Sequence, residues 1–217
     1  MKTRFNYPVA IISLVLFSNA DASMITIDTG FSTAGSQIDA AAYKSLVDAA
    51  VASPSAGYGT TTVSIYDNIS NHSLFSGGSY TDIAFKSTID FHVSAANAGT
   101  WQFRAGVDFG HGGAMFVDGV ASYDLKTNDM WWSGSYSDSS QYLSINSLNL
   151  AAGDHTLNLY GFEGCCDGYQ QAQFSYGGNG FTTFSANDNL SPIPEPETYA
   201  MFLVGLSLLG FSARRKK

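Results

Sequence analysis

The chain has 217 residues and a formal net charge of −8 at neutral pH, with 18 acidic against 10 basic residues. Hydrophobic residues make up 45% of it, and a chain of this length can enclose a sizeable core. The acidic balance argues against nucleic acid or anionic lipid as a ligand, because both carry the same sign of charge.

The first 22 residues have the pattern of a secretory signal peptide. Lys2 and Arg4 give the charged start, and a short apolar stretch follows. Small residues stand at the positions that signal peptidase requires before Ser23, with Ala22 as the last residue removed. The apolar stretch is much shorter than the ~20 residues of a membrane span, which argues against a retained anchor.

Residues 23–190 form the predicted domain. Fifteen acidic residues and four cations lie there, which gives a formal charge of −11. The cations are Lys44, Lys86, Arg104 and Lys126. Such a surface suits an exported protein that must stay soluble, or one whose loops collect a divalent cation.

One helix is predicted, over 38–52. Ile38, Ala42, Leu46 and Ala49 recur there at helical spacing. A proline and a glycine follow, which ends the helix. We expect its small apolar face to pack on the edge of a sheet.

The other elements predicted in this domain are strands. Apolar residues of one parity recur through 83–93 and 100–109, as expected of strands with one face in a core. The predicted strands cover 24–28, 61–66, 83–93, 100–109, 114–117, 142–148, 156–162, 169–176 and 181–184. Many short strands with regular turn signals predict an all-β domain, an antiparallel β-sandwich or jelly roll with one short helix.

The C-terminal segment 191–217 has a second targeting pattern. Pro194-Glu195-Pro196 precedes an apolar run and four terminal cations. We expect the run to form a single transmembrane helix, although it is short for a bilayer core of ~30 Å. Its basic end would stay cytoplasmic, which places the domain outside in agreement with the signal peptide.

This pattern resembles the PEP-CTERM sorting signal of exopolysaccharide-producing Gram-negative bacteria. The resemblance implies that an exosortase, a membrane thiol protease, cuts near Pro194–Pro196 and hands the domain to the cell surface. Signal peptidase and the exosortase would be the processing enzymes. The chain would be anchored transiently in the inner membrane by its C-terminal helix, then reach the outer surface or the extracellular matrix.

A glycine-rich stretch over 108–119 reads D-F-G-H-G-G-A-M-F-V-D-G. With W-Q-F-R before it and the stretch 148–163 after it, it resembles the PA14 domain. That family is a β-sandwich found in adhesins, toxins and glycosidase accessory regions. The resemblance predicts a loop region that contacts sugar. The predicted ligand-binding residues are Asp108, His111, Asp118, Trp131, Trp132, Glu163 and Asp167.

Calcium is the one cofactor that this resemblance brings into question. In calcium-binding PA14 lectins, two adjacent aspartates joined by a cis peptide hold the ion. This chain departs from that pattern, because Phe109 follows Asp108. Calcium needs about six to eight oxygens, and Asp108, Asp118, Asp167 and loop carbonyls could supply only part of such a set. The alternative is that these aspartates cap turns.

The only two cysteines are neighbours, Cys165 and Cys166, in a glycine-flanked loop. With Asp167 and Gly168 they form a Cys-Cys-X-Gly motif, which resembles that of a group of PEP-CTERM proteins without established activity. In an oxidising exterior we expect a disulfide between them, which would present a rigid apolar face. An intermolecular bridge and free thiols are the alternatives. Zinc is disfavoured, because no second cysteine pair or histidine cluster accompanies them.

Trp131 and Trp132 are a pair of adjacent aromatic residues. In an extended segment their side chains point to opposite faces, so one can enter the core while the other stays in solvent and stacks on a sugar. The alternative is that both belong to the core.

No motif of a hydrolase or metalloprotease occurs, and the four histidines are scattered. Glu163 and Asp167 are the one carboxylate pair that suits glycoside hydrolysis, but two acids in one short loop are expected by chance in so acidic a chain. We therefore predict a non-catalytic surface or matrix protein that contacts polysaccharide. A structural matrix or biofilm component without a specific ligand is the alternative. We also expect the loop 163–168 to lie beside the turn at 108–113, at one end of the sandwich.

Overall fold

A computed structural model describes residues 23–190. The predicted signal peptide and the predicted segment 191–217, with its transmembrane helix, lie outside the described residues. In the part that is described, no helix is long and apolar enough to cross a membrane.

Two antiparallel sheets form the domain. Its elements in chain order are β1 (Ser23–Phe31), α1 (Ala40–Val51), β2 (Thr60–Val63), α2 (Asn71–Leu74), β3 (Thr81–Val93), β4 (Gly99–Gly106), β5 (Gly113–Val117), β6 (Val120–Lys126), a 3-10 turn (Ser139–Gln141), β7 (Tyr142–Leu150), β8 (Gly153–Cys165), β9 (Gln171–Tyr176) and β10 (Thr182–Thr183). One sheet has the order β2-β1-β3-β8-β5-β6, and the other β10-β9-β4-β7. The prediction of an all-β antiparallel fold with little helix is confirmed.

The core lies between the two sheets and is rich in aromatic side chains. Trp101 of β4 is fully buried and packs against Phe91 of β3, with ring centroids 5.6 Å apart. Phe109 packs against Phe85 at 5.7 Å, which fixes the start of the loop after β4. Burial of apolar area is the main stabilising term, and here it also anchors a loop.

The helix α1 begins two residues later than predicted and turns a different face to the protein. Asp39 caps it by accepting a hydrogen bond from the Ala42 N–H at 2.8 Å. Its buried residues are Ala40, Tyr43 and Val47, which pack with Phe162 on the outer face of the six-stranded sheet. The predicted packing is therefore wrong in both face and place.

The solvent exposure of α1 shows why that prediction fails. Ile38 precedes the helix and is 91% exposed, and Leu46 is 42% exposed. The larger apolar surface of Tyr43 and Val47, one helical turn apart, determines which face packs.

Strand β6 was not predicted, although a short-range signal for it exists. Asp118 and Gly119 form the two-residue connection between β5 and β6, and both have positive φ, 52° and 72°. An Asp-Gly pair of this kind is the preferred hairpin turn. The pairing of β5 with β6 also shifts register between Met115 and Phe116, which obscures the alternation of side chains.

The long strands β3 and β8 define two ends of the sandwich. Thr81 pairs with Cys165 at one end, and Phe91 pairs with both His155 and Ser23 towards the other. We call these the cysteine end and the far end. The loops 108–112 and 163–168 lie at the cysteine end, because Gly113 at the start of β5 pairs with Gly161.

The beginning of the described chain and a residue close to its end come together at the far end. The Ser23 hydroxyl donates to Asp188 Oδ2 at 2.6 Å, and both residues are buried. Burial raises the pKa of the Asp188 carboxyl, and the hydrogen bond from Ser23 opposes that effect. The N-terminal and C-terminal residues of the domain sequence are thus joined at one point of the far end.

Candidate functional site

Two loops contact each other at the cysteine end. The Gly110 N–H donates to Glu163 Oε2 at 2.5 Å, and the His111 N–H donates to the Phe162 carbonyl at 3.0 Å. The His111 carbonyl accepts from the Tyr43 hydroxyl at 2.6 Å, which ties the loop to α1. The expectation that the turn at 108–113 and the cysteine loop lie side by side is confirmed.

Asp108 and Glu163 bring two buried carboxyl groups to this contact. Asp108 is 6% exposed and Glu163 is 2% exposed. Burial raises the pKa of Asp108 to about 7, repulsion from Glu163 adds to it, and the Gly168 N–H opposes it. Burial also raises the pKa of Glu163, against hydrogen bonds from the Gly110 and Cys165 main chain. Within the described residues Glu163 Oε1 has no hydrogen-bond partner.

Asp167 is the third buried carboxyl group and has a different role. It accepts hydrogen bonds from the Asn71 N–H at 3.1 Å and the His72 N–H at 2.7 Å. His72 Nδ1 lies 2.7 Å from Asp167 Oδ2. Burial raises the pKa of Asp167, and the hydrogen bonds from His72 and Asn71 oppose this. Asp167 therefore holds α2 in place and orients the His72 ring.

An aromatic trio of His72, Tyr80 and Tyr169 stands next to the cysteine loop. The rings of His72 and Tyr80 are stacked, 4.4 Å apart with an angle of 22°, and Tyr169 lies 6.4 Å from His72. Tyr80 is 56% exposed and Tyr169 51% exposed. The Asp167 N–H donates to the Tyr80 carbonyl at 2.9 Å, which joins the trio to the loop.

No pattern in the sequence pointed to this aromatic trio. His72 is distant in sequence from the Cys-Cys-X-Gly motif, and Tyr80 and Tyr169 belong to no recognised sequence pattern. A prediction that the strands 83–93 and 156–162 pair could have found Tyr80. This residue directly precedes β3, and β3 starts opposite Cys165.

Cys165 and Cys166 form the predicted disulfide, with an S–S distance of 2.06 Å. The peptide bond between them is cis and their Cα atoms are 3.0 Å apart, less than the 3.80 Å of a trans peptide. Both residues are exposed, and no free cysteine occurs in the described chain. The disulfide therefore lies on the surface, next to the aromatic trio.

The two tryptophans separate as the alternation predicts, but neither enters the core. Trp131 is 67% exposed, and it follows Met130, whose main chain pairs with Phe109 through hydrogen bonds of 2.9 and 3.2 Å. Trp131 thus belongs to a segment that adjoins the Asp108 loop. Trp132 is half-buried on the outer face of the four-stranded sheet, where a Cβ at Gly106 would lie 2.0 Å from its ring. The alternative of two core tryptophans is wrong.

Asp118 is not part of this constellation. Its Oδ1 accepts from the Thr156 N–H at 3.0 Å, and its Oδ2 lies 2.8 Å from His155 Nδ1. It caps the β5–β6 turn at the far end, so the structure does not bring it together with Asp108 and Asp167. Over residues 23–190, no group of three or more His, Cys, Asp or Glu side chains is placed to hold a metal ion.

Comparison with known proteins adds a motif and a fold. Residues 192–216 match the PEP-CTERM protein-sorting motif. No curated protein has a sequence that matches this chain. The structure is similar to a PA14 sugar-binding domain from an RTX adhesin, with a TM-score of 0.51 and 13% identity over 80% of this chain and 99% of that one.

Two further solved structures are similar at lower scores. One is the PA14 domain of an antifreeze protein, with a TM-score of 0.48 and 13% identity over 84% of this chain and 95% of that one. The other is an epithelial adhesin A domain from Candida glabrata in complex with beta-lactose, with a TM-score of 0.48 and 8% identity over 83% and 92%. The similarity to the PA14 domain from the RTX adhesin is one of fold, in agreement with the two-sheet architecture described above. The chain therefore carries a PEP-CTERM protein-sorting motif after an all-β domain of PA14-like fold.

Proposed function

We propose that this is an exported cell-surface or matrix protein that contacts polysaccharide through its cysteine end without catalysing a reaction. The observation that carries the proposal is the set of exposed aromatic rings around a rigid loop: Trp131, Tyr80 and Tyr169 are each more than half exposed. Aromatic faces suit the apolar faces of sugar rings. A similar fold is named as sugar-binding in the adhesin domain.

The supporting contacts favour a preorganised site. Asp167 fixes His72, and His72 stacks on Tyr80. The disulfide restricts the loop that leads to Tyr169. A rigid loop loses less conformational entropy when it captures a ligand, which strengthens binding without new contacts.

The same geometry argues against hydrolysis. A glycosidase presents two carboxyl groups to the glycosidic bond. Here Glu163 and Asp167, the pair considered for hydrolysis, are buried, and so is Asp108, which leaves all three carboxyl groups almost no exposed surface. Their position suits a role in holding the two loops together.

The sorting motif supports the placement part of the proposal. In this proposal residues 1–22 are the signal peptide, 23–190 the sandwich and 191–217 the sorting segment with its membrane helix. Cleavage by an exosortase would deliver the domain from the inner membrane to the outer surface of a Gram-negative bacterium. The polysaccharide that it contacts would be one found at that outer surface, such as the exopolysaccharide of the bacterium itself.

A glycan panel screened with the exported protein, with and without calcium, tests the binding function. Trp131→Ala and Tyr169→Ala should each weaken the best binder by about fivefold, since an aromatic contact contributes ~1 kcal/mol. Ile38→Ala, at a side chain 91% exposed and distant in the fold, is the matched control and should bind as the unaltered protein does. Absence of binding to every glycan would instead favour the structural matrix component.

Deletion of residues 198–217 tests the placement. Because the sorting motif spans 192–216, the truncated chain should appear in the medium or the periplasm instead of at the cell surface. Fractionation of host cells followed by immunoblotting measures this. Unchanged surface retention would contradict the sorting function and leave the glycan result unaffected.

A further inference from the structure

The outer face of the four-stranded sheet carries a row of polar residues, one from each strand. Thr183, Gln173, Arg104 and Ser144 are successive cross-strand partners on β10, β9, β4 and β7. Gln173 Nε2 donates to Thr183 Oγ1 at 3.2 Å, and Arg104 Nε donates to Gln173 Oε1 at 2.7 Å. This relay fixes the orientation of the Arg104 guanidinium group in its own plane.

Two aromatic rings lie against that guanidinium group. Its Cζ is 3.7 Å from the ring centroid of Tyr136 and 3.8 Å from that of Phe181. Tyr136 is held in turn by the Gly106 N–H at 3.4 Å and donates to the Gln171 carbonyl at 3.2 Å. Contacts of this kind stabilise a cation and restrict its motion.

Arg104 also differs from the other cations of the domain. Lys44 and Lys86 both pair with Asp48, and Lys126 pairs with Asp124. Arg104 has no carboxylate within ion-pair distance among residues 23–190, and its Nη1 and Nη2 atoms donate no hydrogen bond there. Burial lowers the pKa of Arg104, but a guanidinium group stays charged in proteins. A half-buried, uncompensated cation therefore remains in an otherwise acidic domain.

We propose that Arg104 is a binding site for the carboxylate of an acidic sugar, such as a uronic acid residue of a polysaccharide. A guanidinium group whose Nε is already engaged still offers N–H donors on its outer edge, and its planar shape matches a carboxylate. Phe181 is 37% exposed, and Trp132 packs 4.5 Å from Tyr136, so aromatic surface adjoins the charge. A pyranose ring could stack there while its carboxylate pairs with Arg104.

This site is separate from the aromatic trio and does not depend on the function proposed for the cysteine end. Arg104 lies on the outer face of the four-stranded sheet, whereas Tyr80 and Cys165 lie at one end of the central strands β3 and β8 of the six-stranded sheet. The other role open to Arg104 is to clamp the segment around Tyr136 onto the sheet. That role would affect stability and have no effect on carboxylate recognition.

Calorimetric titration of the exported protein with a short oligogalacturonate, in salt that screens repulsion from the acidic domain, and with the carboxyl-reduced form of the same oligosaccharide, tests the proposal. The acidic form should bind more tightly by about tenfold or more, the effect of a charge-assisted hydrogen bond. Arg104→Lys keeps the charge but loses the planar fork, and should weaken uronate binding by about tenfold. Arg104→Gln should abolish the preference for the acidic form.

Two control variants make the result specific. Lys44→Gln removes one positive charge on α1, and Ile38→Ala alters an exposed side chain next to that helix, so both should keep the preference for the acidic form. The NMR signal of Arg104 Nε–Hε should shift on addition of oligogalacturonate, a measurement that needs no variant. Equal binding of the two oligosaccharides, an unchanged affinity in Arg104→Lys, or a signal that does not move would each overturn the proposal.

Discussion

The two ends of the sandwich use the same residue types for different purposes. At the far end Asp118 accepts a main-chain N–H from Thr156 and lies 2.8 Å from His155 Nδ1. At the cysteine end Asp167 accepts main-chain N–H groups and lies 2.7 Å from His72 Nδ1. The first aspartate is exposed and the second is buried. The two aspartates therefore make similar hydrogen bonds. What differs between the two ends is that one aspartate is exposed and the other is buried.

This difference shows where the fold carries unfavourable energy. A capped turn in solvent satisfies its own polar groups at little cost. The cysteine end instead buries three carboxyl groups, one of which has an oxygen without a partner in the described chain. An unsatisfied buried polar atom costs ~1–3 kcal/mol. Such groups concentrate at functional sites, where the surrounding structure compensates for them.

Close packing at the cysteine end should give the largest effect on stability. A Cβ at Gly161 would lie 2.0 Å from the Phe109 ring, whereas a Cβ at Gly153 at the far end would meet nothing within 4 Å. We expect Gly161→Ala to destabilise the fold by about 3 kcal/mol through overpacking. Gly153→Ala should cost about 1 kcal/mol, from its positive φ alone. Chemical denaturation measures the free energy of unfolding of both variants. Equal losses would contradict the conclusion that the cysteine end is the more closely packed.

Removing charge from each aspartate should sharpen the contrast between the two ends. Asp167→Asn turns an amide N–H₂ group towards N–H groups that donated hydrogen bonds to the carboxylate, inside a buried site. It should lower the free energy of unfolding by about 2 kcal/mol. Asp118→Asn makes the same change in solvent and should cost less than ~1 kcal/mol. Thermal melts of the two variants give the comparison. A larger loss for Asp118→Asn would show that burial is not the deciding factor.

The pH dependence of stability should also depend on the cysteine end. The pKa of Asp108 is raised from 3.8 to about 7 in the folded chain. Between those values the folded state binds more protons than the unfolded state, so stability decreases as the pH rises from about 4 to about 7. Asp108→Asn should flatten this decrease, with Glu163 keeping part of it. Denaturation at several pH values measures the slope, and an unaltered slope would refute the role of Asp108.

Replacing both cysteines by serine should have the smallest effect on stability. The residues are adjacent, so the bond closes almost no loop in the unfolded chain and constrains little of its entropy. We expect a change below ~1 kcal/mol in stability, but a larger loss in glycan affinity, because the loop to Tyr169 becomes less ordered. Melts and titrations of the same variant test this. Intact-mass analysis with alkylation provides the control, and two reactive thiols in the unaltered protein would exclude the mechanism.

The amino-acid sequence predicted the strands well because their alternation is a local property. The strand 83–93 is β3 with two residues added at its start, and the cysteine loop lies beside the turn at 108–113 as expected. The face of α1 was not predictable from spacing alone, because two stripes share the helical period. Packing against Phe162 and Tyr160 decides between them.

Placement of the acidic residues was harder to predict. Asp108 and Asp118 are close in sequence, but β5 separates them by its full length. His72 and Asp167 are 95 residues apart and form a hydrogen bond. Their contact depends on the pairing of β3 with β8, which no local pattern encodes.

The hydrogen bond between Ser23 and Asp188 has a consequence for how the domain would be oriented under the placement proposed above. The domain sequence begins and finishes at the far end of the sandwich. The sorting motif starts only a few residues after Asp188, at 192. Along β3, Phe91 opposite Ser23 is ten residues from Thr81 opposite Cys165, which corresponds to roughly 33 Å of strand. A chain held through its sorting segment would therefore direct the disulfide and the aromatic trio outward, away from its attachment point. A ligand could reach them without approaching the membrane.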